Sequence, residues 1–267
     1  MIEFLKTTTQ KLGVYDRLKF TPFYDLYIAY RQPVLLKLRS CEIHLYQSLG
    51  LKPGDLVFDV GANQGDKSDV FLRIGTTVVA IDPDKRNIDI LQKRFWKNEK
   101  ISIIEKAVGE KEERKTFFIA NQGSSFNTLS TKWRDVLQNE SLSRFAAPQQ
   151  FNSSYDVSVT TLDKLIEQFG CPTFIKIDVE GYEVNVIEGL SHSVKYLSFE
   201  LNLPEFLQEG LQCLSLLYDL GQGSVMLNCV TDWQEGFIWT DWREVTDVED
   251  LIKSGVIRYV EVFCKMQ

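Results

Sequence analysis

Residues 56–65, Leu-Val-Phe-Asp-Val-Gly-Ala-Asn-Gln-Gly, run an apolar strand into a tight turn on Gly61 and Gly65, and the turn opens a helix. Glycine there lets the backbone bend and approach a ligand where a Cβ would clash. The helix start beyond it offers free N–H groups. A second apolar strand, Thr77–Ile81, ends on Asp82 and Pro83. A carboxylate at that tip is placed to accept hydrogen bonds from both hydroxyls of a ribose. These residues describe a pocket for a nucleoside-containing cofactor, with Asp59, Gly61, Ala62, Asn63, Gly65, Asp82 and Pro83 as its contacts.

The other unusual passage is Thr173-Phe-Ile-Lys-Ile-Asp-Val-Glu-Gly-Tyr-Glu183. A strand buried on both faces should be continuous apolar sequence, as Phe174, Ile175, Ile177 and Val179 are. Lys176, Asp178 and Glu180 interrupt it at alternate positions, which predicts that they point to one side. A lone buried charge is costly, so these groups should be paired or solvated at a rim. One reading is a structural Lys176–Asp178 ion pair, with Glu180 starting the next helix where its charge suits the dipole. The other is a carboxylate held beside the cofactor. The two are compatible, and the functional one is preferred for Asp178.

Elements must bring these residues together. Hydrophobic periodicity predicts strands at 56–60, 77–81, 101–108, 155–160, 173–179, 195–201, 224–230 and 257–265, with a further apolar run at 116–120. Helices are predicted at 65–75, 84–97, 131–139, 161–169, 182–190 and 204–220. Such alternation implies an α/β fold with a mostly parallel, doubly wound sheet. No long helix separates the last two strands, so they are expected to form an antiparallel C-terminal edge. Ligands of such sheets bind above the carboxyl ends of the strands, where the strand order reverses. That rim would gather Asp59 and Gly61, Asp82, Lys106-Ala107-Val108, Asp178, and Glu200-Leu201-Asn202.

Residues 1–52 read as an N-terminal helical cap, broken at Pro22 and Pro33, ahead of a catalytic domain over 53–267. Phe20, Phe23, Tyr24, Tyr27 and Tyr30 lie there beside Arg17, Lys19 and Arg31. The cap should pack an apolar stripe on the sheet. A sharper expectation is that it walls an acceptor pocket or makes a homodimer contact, since tyrosines stack on sugar faces and guanidinium groups hold acids.

Glycine spacing narrows the cofactor. A dinucleotide turn would need Gly-x-Gly-x-x-Gly, and Asn63 and Ser68 stand where two of those glycines would be. No Gly-Lys-Ser/Thr closes a phosphate loop. The run Asp59-x-Gly61-x-Asn63-x-Gly65 instead resembles the first motif of class I S-adenosylmethionine-dependent methyltransferases. That cofactor has a ribose but no phosphate, and its methionine end suits a turn mixing polar side chains with backbone amides.

The resemblance then becomes narrower. Asp59-Val-Gly-Ala-Asn-Gln-Gly65, Lys106-Ala-Val-Gly109, Thr161-Leu-Asp163, Ile175-Lys-Ile-Asp-Val-Glu-Gly181 and Phe199-Glu200 together resemble the FkbM family of methyltransferases, over roughly residues 50–205. The resemblance implies a Rossmann-like class I methyltransferase fold with a seven-stranded sheet, and S-adenosyl-L-methionine as donor. It also implies O-methylation of a hydroxyl, commonly on a sugar or a natural product. Ala107, Val108 and Asp178 join the expected cofactor contacts. Asp82-Pro83 departs from the family's more usual Glu-Pro by one methylene.

A sugar hydroxyl is barely acidic, so a base should assist its methylation. His44 precedes the core and His192 lies in a loop, neither on the rim. That leaves Asp178 as first choice for base or acceptor anchor, then Glu200, then Glu180. Asp178, Glu200 and Asn202 also resemble the oxygen ligands of magnesium-dependent catechol-type methyltransferases, which makes Mg2+ a less favoured alternative.

Composition bounds the remainder. The chain of 267 residues, 44% hydrophobic, suffices for one sizeable core. A net charge of −7 disfavours a nucleic-acid partner, although residues 1–40 hold seven Lys/Arg against three acidic groups. Five cysteines without a Cys-x-x-Cys read as reduced thiols, which points to the cytoplasm. No apolar run approaches the ~20 residues of a membrane span. Two rivals remain: an NAD-dependent oxidoreductase, disfavoured by Asn63, and a non-catalytic scaffold, disfavoured by intact Gly61, Gly65, Asp82 and Asp178. Asp66-Lys67-Ser68 is explained by capping and solvation, the loop 121–127 lies near the cofactor or on the surface, and Trp233, Trp239 and Trp242 are expected to pack the C-terminal edge.

Overall fold

A computed structural model describes residues 21–139 and 148–266. In chain order its elements are α1 (Pro22–Arg31), α2 (Pro33–Ser48), β1 (Leu56–Val60), α3 (Asp66–Ile74), β2 (Thr77–Asp82), α4 (Lys85–Arg94), β3 (Ile101–Glu105), β4 (Ala107–Val108) and β5 (Glu113–Ile119). There follow α5 (Thr131–Gln138), β6 (Ser153–Thr160), α6 (Leu162–Phe169), β7 (Phe174–Ile177), α7 (Glu183–Glu188), β8 (Tyr196–Asn202), α8 (Leu207–Leu220), β9 (Val225–Val230), α9 (Val245–Lys253) and β10 (Tyr259–Met266). Arg17, Lys19 and Phe20 of the expected cap lie outside the described residues.

Seven strands form one sheet in the order β3-β2-β1-β7-β8-β10-β9. The central strands are apolar on both faces, as a strand covered by helices on each side must be. Val57, Phe58, Val60, Phe174, Ile175 and Ile177 are all buried. Strand β10 runs antiparallel to both β8 and β9. The last two strands therefore form the antiparallel C-terminal edge expected of them, with β9 outermost and β10 the reversed strand. Short α9, absent from the sequence-based prediction, lies between β9 and β10.

The predicted strand at 101–108 breaks at Lys106. Its first part, β3, pairs with β2. Its second part leaves the main sheet, and Ala107 and Val108 pair with Val159 and Thr160 of β6. Strands β4, β6 and β5 make a second, three-stranded sheet. A long-range pairing sets this break, so no local run of residues announces it. The consequence is functional: β4 and β5 stand beside the carboxyl ends of β1 and β2.

Strand β1 is flanked by β2 on one side and β7 on the other. The chain leaves β1 in one direction and later returns in the other, which makes the top of β1 the switch point where a crevice opens. Helix α2 is fixed to the sheet by Tyr46, fully buried with its ring centroid 4.8 Å from Phe71, 5.3 Å from Phe174 and 5.9 Å from Trp233. Trp242 similarly packs on Tyr196, and Trp239 packs on the core. Packing is thus what the tryptophans do. Cys213, Cys229 and Cys264 are buried free thiols. Among the described residues, no helix is long and apolar enough to cross a membrane.

Candidate active site

The turn after β1 is shaped by the chain's own packing. At Gly61 (φ 81°) an added Cβ would stand 1.8 Å from the carbonyl oxygen of Asp178. At Gly65 (φ 84°) it would meet Leu91 and Phe95 at 2.6 Å. The space that glycine keeps open is therefore filled by protein atoms rather than by a ligand. Gly61 lets the ends of β1 and β7 converge, and Gly65 lets α4 lie against the turn. Asn63 takes the left-handed conformation, and its Oδ1 accepts the Gln64 N–H at 2.6 Å. Asp59 is buried below the turn and accepts the Ser68 hydroxyl at 2.6 Å. Burial raises the Asp59 pKa, with Lys176 and Ser68 opposing. Ser68 is fully buried, so the expected account of 66–68 as a solvated cap fails at that residue.

A cleft of about 310 Å³ opens above β1, β2 and β7. Gly61, Ala62, Asn63, Asp82, Pro83, Ala107, Val108, Asp178 and Glu180 all border it. Of the expected cofactor contacts, only Asp59 and Gly65 stand behind it, as supports. Ile81, Phe117, Leu129 and Tyr182 add apolar wall, and Ser124, Ser125 and Asn127 bring the 121–127 loop to the rim.

Asp82 ties the turn to β2. Its Oδ2 accepts the Asn63 N–H at 2.8 Å, and its Oδ1 accepts the Asp84 N–H at 2.8 Å and the Asn87 Nδ2 at 3.1 Å. Each carboxylate oxygen has two lone pairs, so Oδ2 keeps one acceptor position. Burial pushes Asp82 up to about 7, against the pull of those three bonds. Asp84 caps α4 and accepts the Gly123 N–H at 3.0 Å and the Asn127 Nδ2 at 2.7 Å, which fastens the loop. Sequence reasoning passed over Asn87 and Asp84, whose only signal was an Asp-rich start to a helix following Asp82, while Asn127 belongs to the loop expected near the cofactor or on the surface.

After β7 the carboxylates gather. Buried Lys176 donates to Asp178 Oδ2 at 2.7 Å, the ion pair expected from the sequence. Burial alone would lower the Lys176 pKa, but Asp178, Glu261 and Asp59 outweigh it and raise it overall. The alternation does not continue to Glu180. The strand ends at Ile177, and Glu180 sits at φ 55° with its carbonyl accepting from the Thr128 hydroxyl at 2.8 Å. Glu180 reaches the cleft by this turn instead. The helix-start role expected of it belongs to Glu183, whose Oε1 accepts the N–H groups of Val179 and Gly181 at 3.2 Å each. Burial pushes Glu183 up to about 7.

Glu200 lies two residues before the end of β8 and does not line the cleft. Asn202 Nδ2 donates to its Oε1 at 3.3 Å and the Tyr259 hydroxyl to its Oε2 at 3.4 Å. Burial, and then Asp178, pushes Glu200 up to about 8. Glu180 is raised by burial, then by Glu200 and Asp178. Asp178, Glu180 and Glu200 thus form one interacting set, in which each negative charge makes the next harder to create.

The family profile described as "Methyltransferase FkbM domain" matches residues 59–221, more than half of the chain, from the β1 aspartate to the end of α8. This chain belongs to the FkbM methyltransferase family. Among curated proteins, a chloroplastic small-subunit ribosomal RNA methyltransferase of Arabidopsis thaliana is 30% identical over 61 residues. That stretch is 23% of this chain and spans only 18% of the relative's length. Among solved structures, a precorrin-6y C5,15-methyltransferase from Geobacter metallireducens aligns at TM-score 0.44 and 10% identity, covering 86% of this chain and 88% of that one. A SAM-dependent O-methyltransferase from Thermotoga maritima aligns at TM-score 0.44 and 11% identity, covering 85% and 64%. At that similarity they speak neither for an acceptor nor for a catalytic residue.

The residues of the magnesium alternative have protein partners. Asp178 is engaged by Lys176, and Asn202 turns its amide N–H rather than its carbonyl toward Glu200. Among the described residues, no three His, Cys, Asp or Glu side chains are grouped to hold a metal ion. The histidines stand apart from the chemistry: His44 is exposed on α2, and His192 pairs with Asp163 at 2.9 Å.

Proposed function

We propose that this FkbM-family protein transfers a methyl group from S-adenosylmethionine to a neutral hydroxyl, on a sugar, glycan or other polyhydroxylated small molecule. The observation that carries the reading is Glu180, a carboxylate raised by burial, bordering the same cleft as Asp82 and the 61–64 turn. The donor fits the residues present. Ile81, Pro83, Val108, Phe117 and Leu129 offer an apolar wall for adenine. Asp82 keeps one acceptor position for a ribose hydroxyl, and Asp178 offers a carboxylate to the ammonium of the methionine end.

When bound, the donor supplies a sulfonium methyl open to in-line displacement. The protein's part is alignment, exclusion of water and acceptance of the acceptor's proton. Asp178, held by Lys176, orients. Glu180, once ionised, takes the proton, because burial raises its proton affinity above that of an ordinary carboxylate. Glu200 sustains that basicity by placing a second carboxylate behind it. Asp178 and Glu180 on the cleft wall, with Glu200 and buried Glu261 behind them, favour neutral acceptors over phosphate-rich ones. The net charge of −7 supports the same choice. Five free cysteines support a reducing, cytoplasmic setting.

Incubation of the protein with methyl-deuterated donor and a panel of sugars, glycans, phenols and RNA, read by mass spectrometry, tests this. Label on the oxygen of a neutral polyol is expected. Label on RNA, nitrogen or carbon would overturn the acceptor assignment.

A further inference from the structure

A relay of buried and half-buried charges joins the N-terminal helices to the cofactor turn. Asp25 of α1 accepts from Arg39 of α2 at 2.6 Å and from Arg73 of α3 at 2.8 Å. Both arginines also hold Asp69 of α3, at 3.1 and 2.7 Å. Asp69 is buried, and its Oδ2 accepts in turn from Arg94 of α4 at 3.4 Å. Arg94 is buried as well, and its Nη1 donates to the backbone carbonyl of Gln64 at 2.7 Å and to Asp66 at 2.5 Å. Gln64 borders the cleft. The relay therefore begins on a helix that touches no part of the cleft and ends on the backbone of the turn that forms one of its walls.

Each link is a place where a single loss is felt. A planar guanidinium satisfies two partners at fixed angles, so Arg94 sets the direction of the Gln64 carbonyl and hence of the neighbouring peptide groups. A buried arginine that loses its carboxylate must find another partner or draw water in. If α1 and α2 lift away, Asp69 loses Arg39, and Arg73 loses Asp25. Asp69 then competes differently for Arg94, and the turn loosens. Residues 59–221 match the family, while Asp25 and Arg39 lie outside that span. This control would be added by the chain's N-terminal segment.

We propose that Arg94 and Asp69 are positioning residues for the cofactor turn, and that through Arg39 and Asp25 they make cofactor affinity depend on the docking of α1 and α2. The proposal rests on the reading that the cleft holds S-adenosylmethionine. Coupling between two sites is reciprocal, so cofactor binding must strengthen the docking of α1–α2 by the factor that docking strengthens binding.

Hydrogen exchange with and without saturating S-adenosylhomocysteine reads that reciprocity on the full chain. In the wild type, the ligand should slow exchange of amides in 22–48 by about fivefold or more, although no residue there lines the cleft. In Arg39→Met, calorimetry should show the ligand bound about fivefold or more weakly, and Arg94→Lys should act the same way despite its kept charge. In both variants the exchange response of 22–48 should vanish while the amides of 61–65 remain protected. Wild-type protection confined to 61–65, with 22–48 unmoved, would overturn the coupling and leave the cofactor reading intact. Failure of the wild type to bind S-adenosylhomocysteine at all would overturn both. A third variant guards against a general loss of fold: Lys164→Met breaks an exposed pair with Glu167 and should leave affinity and the exchange response unchanged.

Discussion

Asp82 should make cofactor affinity and folding stability move in opposite directions with pH. Its carboxyl is buried and pushed up to about 7, and only one acceptor position on Oδ2 stays uncommitted. A ribose hydroxyl donates far better to a carboxylate than to a carboxylic acid. If only the ionised form receives the ribose, the apparent Kd scales with the ionised fraction. With a pKa of about 7, the affinity for S-adenosylhomocysteine should be about tenfold weaker at pH 6 than at pH 8. Stability of the ligand-free protein takes the other sign. A carboxyl whose folded pKa lies above its unfolded value contributes stability at low pH that is lost as pH rises through the folded value. Between pH 6 and 8 Asp82 alone should remove about 1.4 kcal/mol. Calorimetric titration with S-adenosylhomocysteine at pH 6, 7 and 8, paired with urea denaturation at each pH, measures both. Asp82→Asn should bind more weakly and with a flatter pH response, and its own share of the stability slope should disappear. A wild-type Kd that is flat from pH 6 to 8, or an Asn variant with the same slope as the wild type, would refute the assignment of Asp82 to the ribose.

Gly61→Ala should destabilise the fold by more than about 3 kcal/mol, since its Cβ would collide with the Asp178 carbonyl and its φ is left-handed; thermal unfolding checks this, and a near-native Tm would show that the β1–β7 convergence can relax. Lys176→Met leaves half-buried Asp178 and buried Asp59 and Glu261 without their shared cation and should cost about 3–5 kcal/mol, as denaturant titration would reveal, whereas a near-native midpoint would show that the cation is dispensable. Glu180→Gln should lower turnover by ~10²-fold or more while leaving S-adenosylhomocysteine affinity within about tenfold; comparable turnover in that variant would return the base role to Asp178 or Glu200. In the wild type, turnover should rise as pH increases through about 8, the region to which burial pushes Glu200, and a pH-independent rate from 6 to 9 would contradict carboxylate assistance.

The two motifs could be read from sequence because each is a local event: an apolar run, a residue that needs left-handed backbone, and a charge at a strand tip. Asp59, Gly61, Asn63 and Asp82 share one neighbourhood for that reason, and so do Lys176 and Asp178. The break at Lys106 could not be read, because Ala107 and Val108 are drawn away by Val159 and Thr160, a pairing with no trace in the residues around 106. Period-two alternation misplaced Glu180, whose left-handed backbone ends the strand two residues earlier than the charges suggest. The same limit hid the jobs of Glu183, Asn87 and Arg94. Each is an ordinary polar residue on a helix, and its role comes from the backbone group that packing sets before it. Gly61 shows the converse. Its identity was informative, but the reason for it is the Asp178 carbonyl rather than a ligand.

A crystal structure of the protein with S-adenosylhomocysteine tests the central claim most directly. The account predicts the nucleoside in the cleft above β1, β2 and β7, with a ribose hydroxyl within hydrogen-bond distance of Asp82 and the sulfur facing Asp178 and Glu180. A ligand ordered elsewhere, or one whose ribose leaves Asp82 untouched and whose sulfur points away from those carboxylates, would contradict it.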